Sequence, residues 1–395
     1  MRLALLFHIN INHLSLSPRE RSTYIESDLI EILKAMSFCV NVSICTEDLF
    51  ILKSWNRDTF DSLVNHDYVK FLLAPHTHIL PILFPENYLE NVSLGKMLLN
   101  RLVNKSKIIN VGYPVEVELP ESQINDLYGI WKGIVLGETR LKIAGLEQKN
   151  YPPVFGVQQN GKIIRCYLSR REFNYRKYLH LYLLDKSTKK EVYEAVKSDF
   201  DAYASDLYLL ARIDMEVFSF NKTIHGGSIK KMAEKVRILY EYFLRNGVEF
   251  IHLDELVPSD KNSQCLSKYQ ISCNTQEDNK WGSQALQDQV KIRLNTQSVC
   301  STCRYLHLLS LMCSDYYCTE SKDIVLTGES LARQKVIIVK DRRYRDPESS
   351  VKLQLVGSEN SQENNRIIKR IKDSDIKKYF IHYLKAVNEV EKILR

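Results

Sequence analysis

Short apolar runs alternate with segments of helical periodicity from the first residues onward, and few folds satisfy that order. Leu3-Ala4-Leu5-Leu6-Phe7 reads as a buried strand. Ser17-Pro18-Arg19-Glu20 then has the form of a capping box with proline at the first helical position. Ile25, Leu29, Ile32, Leu33 and Met36 follow at the spacing of one helix face. Phe38, Val40, Val42 and Ile44 alternate with Cys39, Asn41, Ser43 and Cys45 as a second strand. Short helices at 49–55 and 60–64, a strand at 69–74, a helix at 92–103 and a strand at 107–111 continue the pattern. Strand–helix alternation of this kind implies a parallel sheet or barrel, with functional loops at the C-terminal ends of the strands.

The middle of the chain offers a hairpin about Asn160-Gly161, a favoured turn pair. Residues 170–178 mix cations with aromatics, a composition that single-stranded nucleic acid binders use. A solvated helix face or a sugar-contacting loop explains it better, and nucleic acid is not assigned as a partner. A helix at 187–204 leads into Leu209-Leu210-Ala211-Arg212-Ile213-Asp214, an apolar strand that ends in a carboxylate, with Glu216 two residues on. Ile229, Met232, Val236, Leu239, Tyr240 and Phe243 share a helix face that stops at Asn246-Gly247. Residues 248–253 form the expected last strand of the barrel. The polar, turn-rich stretch after Val257 marks the expected boundary. The domains expected are therefore a barrel over 1–257, a mainly helical region over 258–340, and a basic segment over 341–395 ending in an amphipathic helix.

Charge and cysteine restrict the setting. The net charge of +7 resides in residues 331–395, which hold 16 Lys and Arg against 9 Asp and Glu; the rest of the chain balances. Attraction to an anionic partner would thus act through the tail and not through the body. No apolar run reaches membrane-spanning length, so no membrane association is expected. The apolar start ends at His8, too short for a signal sequence, and nine cysteines form no even disulfide framework; a cytoplasmic location is expected. Cys300 and Cys303 have zinc-like spacing, with Cys313 and Cys318 beyond. The same segment also reads as an apolar helix in which cysteine is a small buried residue, and neither a metal nor a cofactor is assigned. A homo-oligomer contact is open to the C-terminal helix, whose ordinary role is packing on the body.

Polar residues collect where the strands end. The first strand runs into His8-Ile9-Asn10, the third into His76-Thr77-His78, the fourth toward Glu118-Leu119-Pro120-Glu121, and the strand at 209–214 into Asp214 and Glu216. Period-two geometry places Asp214 and Glu216 on one side of an extended backbone. A carboxylate at the C-terminal end of a buried strand is a frequent catalytic position in α/β barrels.

These clusters resemble the motifs of glycoside hydrolase family 57. Phe7-His8-Ile9-Asn10 is similar to its first, Thr77-His78-Ile79-Leu80-Pro81 to its second, Glu118-Leu119-Pro120-Glu121 to its third and Asp214-Met215-Glu216-Val217-Phe218-Ser219 to its fourth. The order is kept over residues 1–257. Glu118 stands where the family has Trp, Ser219 where it has Gly, and Asn10 where many members have a second His. The resemblance implies an α/β fold with an irregular (β/α)7-type barrel followed by a C-terminal helical region. It implies retaining hydrolysis or transfer on α-linked glucans or α-galactosides, with Glu121 as nucleophile and Asp214 as acid/base. His8, Asn10, His78, Glu216 and Trp281 would then contact the carbohydrate or orient the carboxylates. Two other readings stand beside this one. Glu118 and Ser219 fit an inactive relative that binds carbohydrate or acts as a scaffold, and the histidines fit a metal-dependent deacetylase barrel.

Overall fold

The structure, a computed structural model, describes residues 1–11, 18–79, 81, 85–115, 119, 121–124, 126–138, 141–147, 150–159, 161–169, 174–202, 208–215, 218, 227–256, 264–267, 271–273, 336–339, 351–354 and 374–395. Strand β1 (Arg2–Ile9) is followed by a helix over residues 18–34 that contains a π-turn at Tyr24–Asp28. Next come β2 (Val40–Ile44), helices Thr46–Trp55 and Arg57–Asn65, and β3 (Val69–Leu73). Helix Pro85–Leu102, β4 (Ile108–Gly112), β5 (Gly133–Gly137) and β6 (Leu141–Ile143) lead to the hairpin of β7 (Val154–Gln159) and β8 (Lys162–Ser169). Helices Asn174–Leu183 and Lys189–Ala202 precede β9 (Leu209–Asp214), and helix Ile229–Arg245 precedes the two-residue β10 (Glu249–Phe250).

Among the described residues, seven strands run parallel in the order β9-β1-β2-β3-β4-β5-β8. The curved sheet brings β8 against β9. β8 spends its second edge on β7, its antiparallel hairpin partner, so the closure is irregular. The Tyr208 hydroxyl stitches the seam by donating to the Pro153 carbonyl at 3.2 Å, and the Leu168 N–H donates to the same oxygen at 2.9 Å. β10 lies beside the first residues of β1, where Arg2 faces Glu249 and Leu3 faces Phe250.

Side chains sort by parity into two layers, as parallel strands buried on both faces require. Leu3, Leu5, Phe7 and Ile9 of β1 join the core beneath the helices, together with Val40, Val42 and Ile44 of β2 and Leu209, Ala211 and Ile213 of β9. The alternate positions Ala4, Leu6, Leu72, Ile109, Val111, Val135, Tyr167 and Leu210 pack with one another inside the barrel. The even-numbered residues of β1 and β9 therefore face the interior, and His8 and Asp214 are the last of each series.

Beyond the barrel, β11 (Gln264–Ser267) ladders onto β7 and β12 (Ile271–Cys273) onto β6. The described parts of 258–373 are these strands and the hairpin of β13 (Val336–Val339) and β14 (Val351–Gln354). Cys300, Cys303, Cys313 and Cys318 lie outside the described residues. The C-terminal helix Ser374–Leu394 packs its Ala386, Val387 and Val390 into the core against helix Thr46–Trp55, with His382 stacked on Trp55 at 5.0 Å. No described helix is long and apolar enough to cross a membrane.

Candidate active site

The C-terminal ends of the parallel strands carry a concentration of buried polar groups. His8 ends the interior series of β1, and its Nε2 lies 3.0 Å from Nε2 of His78, which follows β3. Their rings stack at 5.1 Å between centroids, and Tyr113, just past β4, approaches His8 on another side at 5.3 Å. A hydrogen bond between two Nε2 atoms holds one proton: one ring donates and the other accepts. Arg212 of β9 donates from Nη1 to the Tyr113 hydroxyl at 3.2 Å. Asp214 is the register partner of His8 across the β1–β9 ladder, and the Met215 N–H donates to the His8 carbonyl at 2.9 Å. Parallel neighbours lie about 4.8 Å apart, so Asp214 and His8 stand side by side on the interior face. Asp214 remains partly exposed whereas His8 and His78 are buried.

The loop carrying His78 is held by one helix. Asn91 of helix Pro85–Leu102 accepts the Thr77 N–H at Oδ1 (3.0 Å), donates to the Thr77 hydroxyl (2.9 Å) and accepts the His76 N–H at its carbonyl (3.0 Å). Gly95, one turn on, lets the helix approach that closely: a Cβ there would sit 2.4 Å from the Ala74 carbonyl oxygen and 2.8 Å from the His76 nitrogen. Both obstacles are backbone and cannot rotate away. Gly95→Ala is accordingly expected to destabilise the protein by about 1–3 kcal/mol, seen as a lower urea midpoint at unchanged slope, and to separate His78 from His8.

His76 itself faces away from chemistry. It is buried, its Nδ1 lies 2.8 Å from the Thr46 hydroxyl, and its carbonyl accepts the Glu47 N–H at 2.9 Å. Burial pushes its pKa down to about 3, so it remains neutral and structural at ordinary pH.

Several polar residues of this region were not singled out by sequence. Glu47 and Asp48 occupy the first turn of helix Thr46–Trp55, where acids ordinarily balance the helix dipole, yet both are buried. Asp48 Oδ2 accepts the Ile11 N–H at 3.1 Å and so fixes the chain leaving β1, next to buried Asn10. Glu138, immediately after β5, is also buried. The available signal was position: Glu138 directly follows a strand, and Glu47 and Asp48 open the helix that follows one.

Glu121 opens the short helix Glu121–Ile124 in the segment that leaves the C-terminal end of β4. Its backbone is described and its side chain is not. Glu216, Trp281, Glu118 and Ser219 lie outside the described residues. The structure thus brings together His8, His78 and Asp214, with Asn10 close behind along the chain.

Comparison with known proteins gives a structural answer only. No family model matches the chain, and no curated protein matches it in sequence. Among solved structures it is similar to a 4-alpha-glucanotransferase from Thermococcus litoralis, with TM-score 0.60 and 12% identity over 80% of this chain. The match spans 55% of that enzyme, about half its length. It is also similar to a GH57 branching enzyme from Thermococcus kodakaraensis crystallised with glucose, with TM-score 0.56 and 11% identity over 100% of this chain and 96% of the other. An exo-type maltose-forming amylase from Pyrococcus sp. ST04 matches with TM-score 0.53 and 10% identity over 98% and 75%. The chain therefore has the mixed α/β, largely parallel barrel fold of glycoside hydrolase family 57, with its C-terminal helix packed on the barrel.

Proposed function

We propose that the protein is a retaining glycosidase or glycosyltransferring enzyme acting on α-linked glucans. One observation carries this reading. Asp214 and His8 stand side by side, with His78 touching His8, at the C-terminal mouth of a barrel whose structural neighbours act on α-glucans. In this reading Glu121 attacks the anomeric carbon as the glycosidic bond breaks, and Asp214 gives its proton to the departing oxygen. Asp214 then takes a proton from water, or from an acceptor sugar hydroxyl, as that oxygen attacks the same carbon and releases Glu121. The mechanism needs the two carboxyl groups about 5–5.5 Å apart. His8, His78 and Asn10 bind sugar hydroxyls, Glu216 supports the substrate or its loop, and Trp281 stacks on a sugar ring. The free thiol of Cys39 fits a reducing compartment, and the cytoplasm is the proposed location.

The test is a panel of malto-oligosaccharides, aryl α-glucosides and aryl α-galactosides, read for hydrolysis and for chain transfer. The expected result is turnover of α-glucosidic substrates with retained anomeric configuration. Tight oligosaccharide binding with no turnover of any substrate would replace this reading by that of a binding protein.

A further inference from the structure

At the far end of the barrel, three side chains of different chemistry converge without any part in the mouth. We propose that Cys39, His252 and Glu255 form a zinc-type divalent-cation site at the N-terminal end of β2. One ligand atom from each lies within 4.8 Å of the other two. Cys39 immediately precedes β2, and His252 precedes and Glu255 closes the turn Leu253–Glu255 that follows β10. Because Ser43 is the register partner of His8, the site is about 13 Å down the strand from the level of His8.

The ligand set decides the metal class. A thiolate, an imidazole and a carboxylate together suit a borderline ion such as zinc and not calcium or magnesium, which require oxygen. Tetrahedral bonds of about 2.0–2.3 Å put ligand atoms about 3.3–3.8 Å apart, so a contraction of about 1 Å completes the geometry. The thiolate and carboxylate neutralise a dication, and binding releases the Cys39 proton to solvent. Water takes the fourth position, reached from the side of exposed Glu255.

His252 supplies the independent mark. It is 5% exposed, and its Nδ1 has no hydrogen-bond partner among the described residues. The Glu255 N–H donates to the His252 carbonyl at 3.1 Å, and the His252 N–H donates to the Glu255 carboxylate at 3.2 Å. Buried polar atoms without partners are rare, and ligation satisfies such a ring. The backbone on both sides of His252 is also fixed in advance. Asn41, two residues after Cys39, donates to the Ile251 carbonyl at 3.3 Å and accepts the Leu253 N–H at 3.0 Å. Lys70, the neighbouring cation, is engaged by Asp254 at 2.8 Å. The ion would clip the segment after β10 to the start of β2.

The full-length protein, stripped with EDTA, is titrated with Co²⁺ and separately with Zn²⁺. One equivalent of Co²⁺ should bind with a thiolate-to-cobalt charge-transfer band, and Zn²⁺ should displace it. Cys39→Ser should remove one band-bearing equivalent, whatever other cysteines bind. Exposed Glu255→Gln should weaken binding at least ~10-fold. A saturating ~100-fold excess of Zn²⁺ over its Kd should raise the Tm of the native chain by ~3 °C and leave Cys39→Ser unmoved. Cobalt binding with no thiolate band, or a band unchanged in Cys39→Ser, overturns the proposal. None of these readouts depends on glycosidase activity.

Discussion

Asp214→Asn is expected to lower kcat/KM on malto-oligosaccharides by about 10²–10⁴-fold, the range that positioned acid–base catalysis contributes. The amide keeps the size of the side chain and the β1–β9 ladder, which runs through backbone groups on both sides of His8. The Tm should therefore move little. The loss should depend on the leaving group. An aryl glycoside whose phenol departs without a proton should form the glycosyl-enzyme almost normally, and azide, which needs no general base, should then restore turnover. Full activity of Asp214→Asn on malto-oligosaccharides would remove Asp214 from the chemistry.

Acidification should unfold the protein partly through His76. An unfolded histidine titrates near 6.5, whereas the folded His76 is held to about 3 by burial. Between those values the unfolded state binds a proton that the folded state refuses, so stability falls as pH drops. The slope from this residue is about 1.4 kcal/mol per pH unit across that window and vanishes above it. His76→Gln keeps a polar group near the Thr46 hydroxyl and has nothing to protonate. The variant should be less stable at pH 7 because its fit is poorer. The gap to the native protein should close as pH falls from 6.5 toward 4. Parallel urea midpoints for the two proteins across that range would show that His76 is not excluded from titration.

How much of this was legible in the sequence depended on how far apart the cooperating residues lie. β1 to β4 and their helices announce themselves through periodicity, since each is a run of buried residues with its own local pattern. β5 gave no such signal: Gly133-Ile134-Val135-Leu136-Gly137 is short and bounded by glycines that look like breaks. Gly133 serves packing, for a Cβ there would meet the Tyr167 ring at 2.8 Å. The expected last strand at 248–253 shrinks to Glu249–Phe250, beyond which the Asn41 side chain takes the Ile251 carbonyl and the Leu253 N–H. At the mouth, His8 and His78 were conspicuous as histidines at strand ends. Asn91 and Gly95, which position the His78 loop, sit inside a helix whose local pattern gives no hint of that loop. The Cys39, His252 and Glu255 cluster was invisible for the same reason, since the docking of the segment after β10 beside β2, and not spacing, brings it together.

The placement of β1 also sets a timetable. Its residues from Leu3 to His8 pair with Leu209 to Asp214, so one edge of the first strand has no sheet neighbour until the ninth has been made. At a synthesis rate of ~5–20 residues per second that interval is ~10–40 s. During it the nascent sheet presents an apolar, hydrogen-bond-hungry border, the kind of surface on which chains associate wrongly. Loop closure over such a separation is slow in isolation as well. Production of this protein should therefore respond more to slowed translation, lower temperature and chaperone supply than the stability of its finished barrel would lead one to expect.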